Sequence, residues 1–240
     1  MMKTLKNILL AFVAAGLLAG CTDNGNRITK TYGLTDFDAL NVSHAFEVEV
    51  MPSDKESVEL VVSSKLEKYL VVEKKGSTLY IGMKNSYNFR WFDINPCLKA
   101  YVSFKDLRQV TASGASEVDL AAAYDALGQN LDIELSGASS FDGRVLNVNR
   151  LTAGVSGASE LDLQGNGNAM LLEVSGASKT DLDEFPVKTF SGDVSGASHV
   201  ELYVTETFSG SASGASNIEV EGRPQVLKAE ESGASHIRFL

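Results

Sequence analysis

Six acidic side chains recur at one place in a repeated stretch of this chain: Asp119, Asp142, Asp162, Asp181, Glu201 and Glu219. Each stands at position 7 counted from the first residue of a Ser-Gly-Ala-Ser segment, and Arg238 takes the same place in the last copy. If the copies stack, these carboxylates form a ladder at about 4.8 Å spacing, where like charges directly opposite repel. Water and monovalent salt screen an open ladder, and an oxygen-rich site for a hard cation such as calcium is the sharper alternative. The Asp-rich nonapeptide of calcium-binding β-rolls is missing, so no metal or cofactor is assigned; Arg238 is expected to pair with Glu219. His199 and His236 share position 5 two copies apart, about 10 Å in a stack, too far to share a zinc ion, and are expected to be surface residues.

Two other places could carry chemistry. Residues 85–98, NSYNFRWFDINPCL, hold the only Trp and break strand alternation. Aromatic rings flanked by Asn, Arg and Asp suit sugar stacking or protein docking, with Tyr87, Trp91 and Phe92 as candidates; the alternative is a plug folded over an open sheet end. At the start, Lys3 and Lys6 precede an apolar run over residues 8–18, which is too short to span a bilayer and has the form of a secretory signal. It ends in Leu18-Ala19-Gly20-Cys21, which resembles the lipobox of bacterial lipoproteins, so Cys21 is expected to be diacylated and to become the first mature residue.

Removing residues 1–20 leaves 19 Lys and Arg against 31 Asp and Glu, a net charge of −12. Nucleic acid and anionic lipid both demand a basic surface and are poor partners for such a chain. With Cys21 acylated, Cys97 has no intramolecular partner, so no disulfide is expected and Cys97 reads as an inert thiol.

The elements that must position these groups follow from the repeat. The Ser-Gly-Ala-Ser segment opens at Ser113, Ser136, Ser156, Ser175, Ser195, Ser213 and Ser232, at intervals of 23, 20, 19, 20, 18 and 19 residues. Apolar residues recur at position −4 (Leu131, Leu151, Met170, Phe190, Phe208, Leu227), position 0 (Leu135, Val155, Val174, Val194) and position 6 (Val118, Phe141, Leu161, Val200, Ile218, Ile237), with Thr180 the exception in the last set. These even offsets are the two-residue period of strands, not that of a helix. About 20 residues reach roughly 65 Å extended, enough for one turn of a parallel β-coil. A leucine-rich repeat has a similar period but requires a Leu-x-x-Leu-x-Leu signature that is absent here. The recurring Gly marks a corner with unusual torsions or close backbone contact. Strict alternation would put the Gly and the second Ser inward and the first Ser and the Ala outward, whereas a bend at the Gly would turn the Ala inward; the bend is favoured because Ala buries at no cost whereas each buried hydroxyl needs a partner. Position 5 holds Glu, Ser, Lys, His and Asn within this one chain, so replacing Lys179 is expected to change almost nothing.

Residues 21–30 read as a flexible tether and residues 31–112 as an irregular β region, most simply longer coils that cap the solenoid over residues 113–240. Alternating segments at residues 46–50, 58–62, 79–83 and 101–104 are its strands. Residues 63–70 could make one or two helical turns, and residues 74–78 a turn. The fold expected is therefore all-β, a parallel β-helix of about seven rungs of about 20 residues behind an irregular β cap.

Residues 37–48 (FDALNVSHAFEV), 76–81 (GSTLYI) and 107–110 (LRQV), running into serial Ser-Gly-Ala-Ser, resemble the family described as putative auto-transporter adhesin, head GIN domain. The resemblance covers residues 33–240 and implies a secreted or lipid-anchored β-coil of the Gram-negative envelope, with no catalytic residues to carry over. Polysaccharide-active β-helices build their grooves from long loops, which near-constant intervals leave no room for, and Lys and Arg are scarce in the repeats. The expected function is that of an exported envelope lipoprotein, anchored by lipid in the outer membrane and acting as a non-catalytic binding or adhesion module for a glycan or protein. A scaffold without ligand and a polysaccharide-active enzyme are the alternatives. The last repeat should offer an open strand edge, blunted by His236 and Arg238, with the chain a monomer or a weak end-to-end homodimer.

Overall fold

The computed structural model describes residues 26–84 and 97–240. The strands are β1 (Arg27–Tyr32), β2 (Ala39–Val42), β3 (Glu47–Pro52), β4 (Ser57–Ser63), β5 (Leu70–Lys75), β6 (Thr78–Met83), β7 (Leu98–Phe104), β8 (Gln109–Ala112) and β9 (Glu117–Leu120). They continue as β10 (Tyr124–Asp125), β11 (Asn130–Leu135), β12 (Ser140–Val155), β13 (Glu160–Val174), β14 (Lys179–Val194), β15 (His199–Ala212), β16 (Asn217–Glu221), β17 (Gln225–Glu231) and β18 (His236–Phe239). A single 3-10 turn, Ser64–Tyr69, joins β4 to β5.

From β8 onward every pairing is parallel, and the rungs keep the register of the repeat, as in Leu151↔Met170, Met170↔Phe190 and Phe190↔Phe208, until the last long arm, where Phe208 pairs with Val226 and Leu227, expected in the column, is exposed. Each rung has a short arm after its corner and a longer arm leading to the next, separated by a register break such as that between Val145 and Val148. The apolar columns point inward and form one core. Phe190 stacks on Phe208 at 5.0 Å, and Phe208 is fully buried.

The corner itself differs from expectation in one respect. The glycines take positive φ, from 75 to 83°, so the chain does bend there. Yet the second Ser faces inward and the Ala outward. Ser116, Ser139, Ser159, Ser178, Ser198, Ser216 and Ser235 are each at most 4% exposed. Each donates its hydroxyl to the carbonyl of the first Ser of its own corner, as in Ser178 Oγ to Ser175 O at 2.9 Å. The tight turn supplies the acceptor locally, which removes the desolvation penalty that favoured burying Ala. Successive corners are laced together by the Ala N–H donating to the Gly carbonyl one rung earlier, at 2.7 Å for Ala177 to Gly157.

The N-terminal half is coiled first and capped second. Strands β2, β3, β6 and β7 continue the parallel rungs through β2–β8, β3–β9, β2–β6 and β3–β7. Ser43 to Phe46 stand where a Ser-Gly-Ala-Ser corner would, with His44 and Ala45 at φ of 67° and 61° and Phe46 buried in the place of the second Ser. Beyond these, β4 runs antiparallel to β7, β1 antiparallel to β4, and β5 antiparallel to β6. Antiparallel strands end the parallel stack without another coil, which is how this end is closed. Strand β1 begins at Arg27, inside the stretch expected to be tether. The Ser64–Tyr69 turn falls where a helical turn was expected, with Ser63 as N-cap and Glu67 in its first turn.

One core position breaks the apolar pattern. Thr180 is fully buried between Leu161 and Val200, and its Oγ1 has no hydrogen-bond partner. Replacing it by the near-isosteric Val removes an unpaired buried hydroxyl, for an expected gain of about 1–2 kcal/mol. Urea unfolding of Thr180→Val checks this; an unchanged midpoint would mean that the hydroxyl is satisfied.

Candidate functional site

The position-7 acids lie on the outer side of the short arm. Their stacking is explicit in the register, Asp119↔Asp142, Asp142↔Asp162, Asp162↔Asp181, Asp181↔Glu201 and Glu201↔Glu219, ending at Arg238. The column continues past the repeats to Glu49, opposite Asp119, and through Tyr101 to Glu59. Nothing in the local sequence of residues 46–50 marks Glu49 as a member; only the pairing of β3 with β9 places it there.

Position 5 forms a parallel column beside the first: Lys99, Glu47, Glu117, Ser140, Glu160, Lys179, His199, Asn217 and His236. The two columns cross-link toward the C-terminal end. Lys179 lies 3.5 Å from both Glu160 and Asp181, His199 Nε2 2.9 Å from Glu201, Asn217 donates to Glu219 at 3.0 Å, and Arg238 reaches Glu219 at 3.7 Å. His199 and His236 are separated by Asn217 and do not converge. From Lys179 onward position 5 supplies counter-groups, whereas Glu47, Glu117 and Glu160 add further acids, and Lys179, read from the sequence as freely replaceable, bridges two carboxylates. Its ammonium is about half exposed, so Lys179→Gln is expected to cost about 0.5–1 kcal/mol, measurable as a small drop in Tm that high salt abolishes.

Toward the N-terminal end the ladder is less well neutralised. Asp119 is pushed up to about 6 by burial first and then by Glu117, Asp142, Glu47 and Glu49. Burial and the flanking Asp142 and Asp181 also raise Asp162. One cluster could hold a cation: Asp181, Asp183 and Glu201 bring one oxygen each within 4.8 Å of one another. Burial and the neighbouring Asp181 raise Asp183. Three carboxylates offer at most half a dozen oxygens, against the six to eight that calcium takes, and Lys179 already serves Asp181.

A second acidic column stands on the longer arm, two residues before each corner: Glu134, Gly154, Glu173 and Asp193. With Ser156, Ser175 and Ser195 it lines a shallow groove of about 410 Å³. A Cβ at Gly154 would overlap the Glu134 carboxylate, so this Gly makes room for it. Burial and Glu173 hold Glu134 above its ordinary range. The signal was present in the sequence as a polar column at position −1, interrupted by Gly154.

Tyr87, Trp91 and Phe92 lie outside the described residues, as does Cys21. The chain between Lys84 and Cys97 joins β6 to β7, the connection that a Ser-Gly-Ala-Ser corner makes in later rungs. Cys97 is buried and disulfide-bonded, which corrects the expectation of an inert thiol.

The model of a family described as "Putative auto-transporter adhesin, head GIN domain" matches residues 36–224. No curated protein matches the chain. Among solved structures, a "putative adhesin" from Bacteroides fragilis is similar with a TM-score of 0.78 at 16% identity, over 90% of this chain and 97% of that one. A "Putative lipid binding protein" from Parabacteroides distasonis has a TM-score of 0.73 at 16% identity, over 90% and 98%. A "putative adhesin" from Parabacteroides merdae has 0.69 at 16% identity, over 90% and 97%. At such identity these likenesses show the fold alone.

Proposed function

This chain belongs to the family described as putative auto-transporter adhesin, head GIN domain, and from that premise we propose that it is an exported, lipid-anchored envelope protein acting as a non-catalytic binding module for a glycan or protein ligand. The observation that carries the reading is the pair of outward columns on the short arms, Glu49 to Arg238 and Glu47 to His236, held in one register by the corner stack. A rigid, repetitive, charged surface suits an extended partner, because its binding groups are ordered before the partner arrives. The aromatic segment with Tyr87, Trp91 and Phe92 is the second candidate contact. A screen against glycans, mucins and envelope proteins tests the proposal: saturable binding weakened about tenfold by Trp91→Ala or by Asp142→Arg supports it. Complete absence of binding across the screen would favour a ligand-free scaffold.

Anchoring at Cys21 has its own test. The chain has two cysteines and Cys97 is disulfide-bonded, so acylation of Cys21 and an intramolecular disulfide at Cys97 exclude each other, and the mass of the mature protein extracted from membranes tells which one forms. Cys21→Ala is expected to abolish acylation and release the protein from the membrane. A Cys21→Ala protein that stays acylated in the membrane would overturn the anchor.

The homodimer is a proposal of the same rank. Strands β17 and β18 pair on one side only, and Val226, Leu227 and Phe239 are 44, 64 and 42% exposed. Such an edge favours weak end-to-end association at high concentration, reduced by Ile237 or Arg238 substitution. Light scattering across a wide concentration range reads it, a strict monomer being the contrary result.

A further inference from the structure

The low net charge of this protein is not evenly spread. Residues 105–240 carry 9 Lys and Arg against 20 Asp and Glu, a net charge of −11, whereas residues 26–104 carry 10 against 10. Within that neutral part the cations concentrate on the N-terminal cap. Lys65 and Lys68 lie on the Ser64–Tyr69 turn, Lys30 on the edge strand β1, and Lys84 directly after β6. These four lysines line one open groove of about 670 Å³ whose single acid is Glu67. Glu67 is engaged by Lys30 at 2.7 Å, and Lys84 Nζ donates to Lys68 O at 2.8 Å, which holds the cations together. The groove lining thus has a net charge of +3 on a protein that is otherwise acidic.

The chain enters the fold at this same face. Ser64 N, in the groove wall, donates to Asn26 O at 2.8 Å. Cys21 is five residues earlier, no more than about 18 Å of extended chain. An acyl group on Cys21 would therefore hold a bilayer within about 18 Å of chain from the groove wall.

We propose that the lysine-lined groove on the N-terminal cap is a docking surface for the phosphate headgroups of an anionic membrane, orienting the solenoid with its acidic rungs pointing away from the bilayer. The proposal uses the Cys21 anchor to say where the membrane is, but the charge pattern does not depend on acylation. Juxtamembrane lysines each contribute attraction to anionic lipid that falls off within a Debye length, and one lipid signal plus a basic patch is a recognised pairing. Whole-chain charge argued against anionic lipid as a partner; the local field at the cap is of opposite sign, and it is the local field that acts at that range.

The test uses residues 21–240 produced without the export signal, so that Cys21 is not acylated, both cysteines are kept and the core drawn from residues 28–237 is intact. Sedimentation is measured with vesicles of equal parts phosphatidylglycerol and phosphatidylcholine and with phosphatidylcholine alone. Ionic strengths of about 0.01 M and about 0.15 M give Debye lengths of about 30 and 8 Å. The expected result is binding to the anionic vesicles at low salt that weakens at higher salt. At about fivefold per lysine before screening, Lys65→Gln, Lys68→Gln and Lys84→Gln together are expected to lower partitioning at least about tenfold. The same charge change at exposed Lys105, Lys188 and Lys228 should lower it less than about twofold. Equal losses for the two triple variants, no loss for the cap variant, or no binding to anionic vesicles at low salt would each overturn the proposal. Pelleting without vesicles would make a second copy's acidic rungs the occupant and would overturn it too. Failure of the anchor reading shows separately, as an unacylated mass for protein extracted from membranes.

Discussion

Replacing Gly176 by Val is expected to destabilise the protein by about 3 kcal/mol or more, a large fraction of an ordinary stability of about 5–15 kcal/mol. Two independent costs act. Gly176 sits at φ +81°, where a β-branched residue is a genuine outlier. A Cβ there would also press into the carbonyl of Gly157, one rung below, which accepts the Ala177 N–H at 2.7 Å. Relief would require that hydrogen bond to lengthen and, through Gly196 above, the next corner to shift as well. The contrast is Ala177→Ser in the same corner: its side chain is exposed, and the change is expected to stay within about 0.5 kcal/mol. Urea unfolding of both variants reads the difference, and equal midpoints would contradict the stacked corner.

The second large effect is truncation of Phe208 to Ala, expected to cost about 3–5 kcal/mol. Phe208 is fully buried, stacks on Phe190 at 5.0 Å and meets Phe239 edge-on at 5.2 Å. Phe190 and Phe208 belong to successive rungs and Phe239 to the last short arm, so truncating Phe208 leaves a cavity running along the axis rather than a dent within one rung. The C-terminal rungs should then open first. Hydrogen exchange is expected to speed up over β15 to β18 while the rungs built on β8 to β12 keep their protection. Uniform acceleration over the whole chain would mean that the solenoid unfolds as one cooperative unit.

A smaller effect distinguishes the acidic ladder from an ordinary charged surface. Asp119 titrates near 6 in the folded protein, above its ordinary 3.8. The folded state therefore holds this proton more tightly than the unfolded state does, so stability falls as pH rises from about 4 to about 6. After discounting for solvent at a half-exposed group, the loss is on the order of 1 kcal/mol. Asp119→Asn is expected to recover that amount at neutral pH and to flatten the profile in this window, as read by thermal melts in matched buffers.

The parallel coil was legible in the sequence because its columns repeat: Leu131 to Phe208 and Val118 to Ile218 fix both period and inward face. The same repetition exposed the position-7 ladder. What could not be read depends on contacts that no periodicity encodes. The inward turn of Ser178 depends on a carbonyl three residues earlier in a turn of particular shape. Membership of Glu49 in the ladder depends on β3 pairing with β9 across 70 residues of sequence, and Lys179 acts through one acid of its own column and one of the neighbouring column. The basic groove is the clearest case. Lys30, Lys65 and Lys84 meet only because β1, β4, β5 and β6 close the end of the stack antiparallel, and non-repeating sequence gives no warning of that.

The central claim is that the repeats stack one per rung, so that the outward acids form a single straight column. Paired spin labels carried on unnatural amino acids at position 119 with 181, 201 or 219 measure this directly. The account predicts mean distances that grow by about 4.8 Å for each further rung, from about 14 to about 24 Å. Increments well above that value, or distances that do not grow in the order of the repeats, would contradict it.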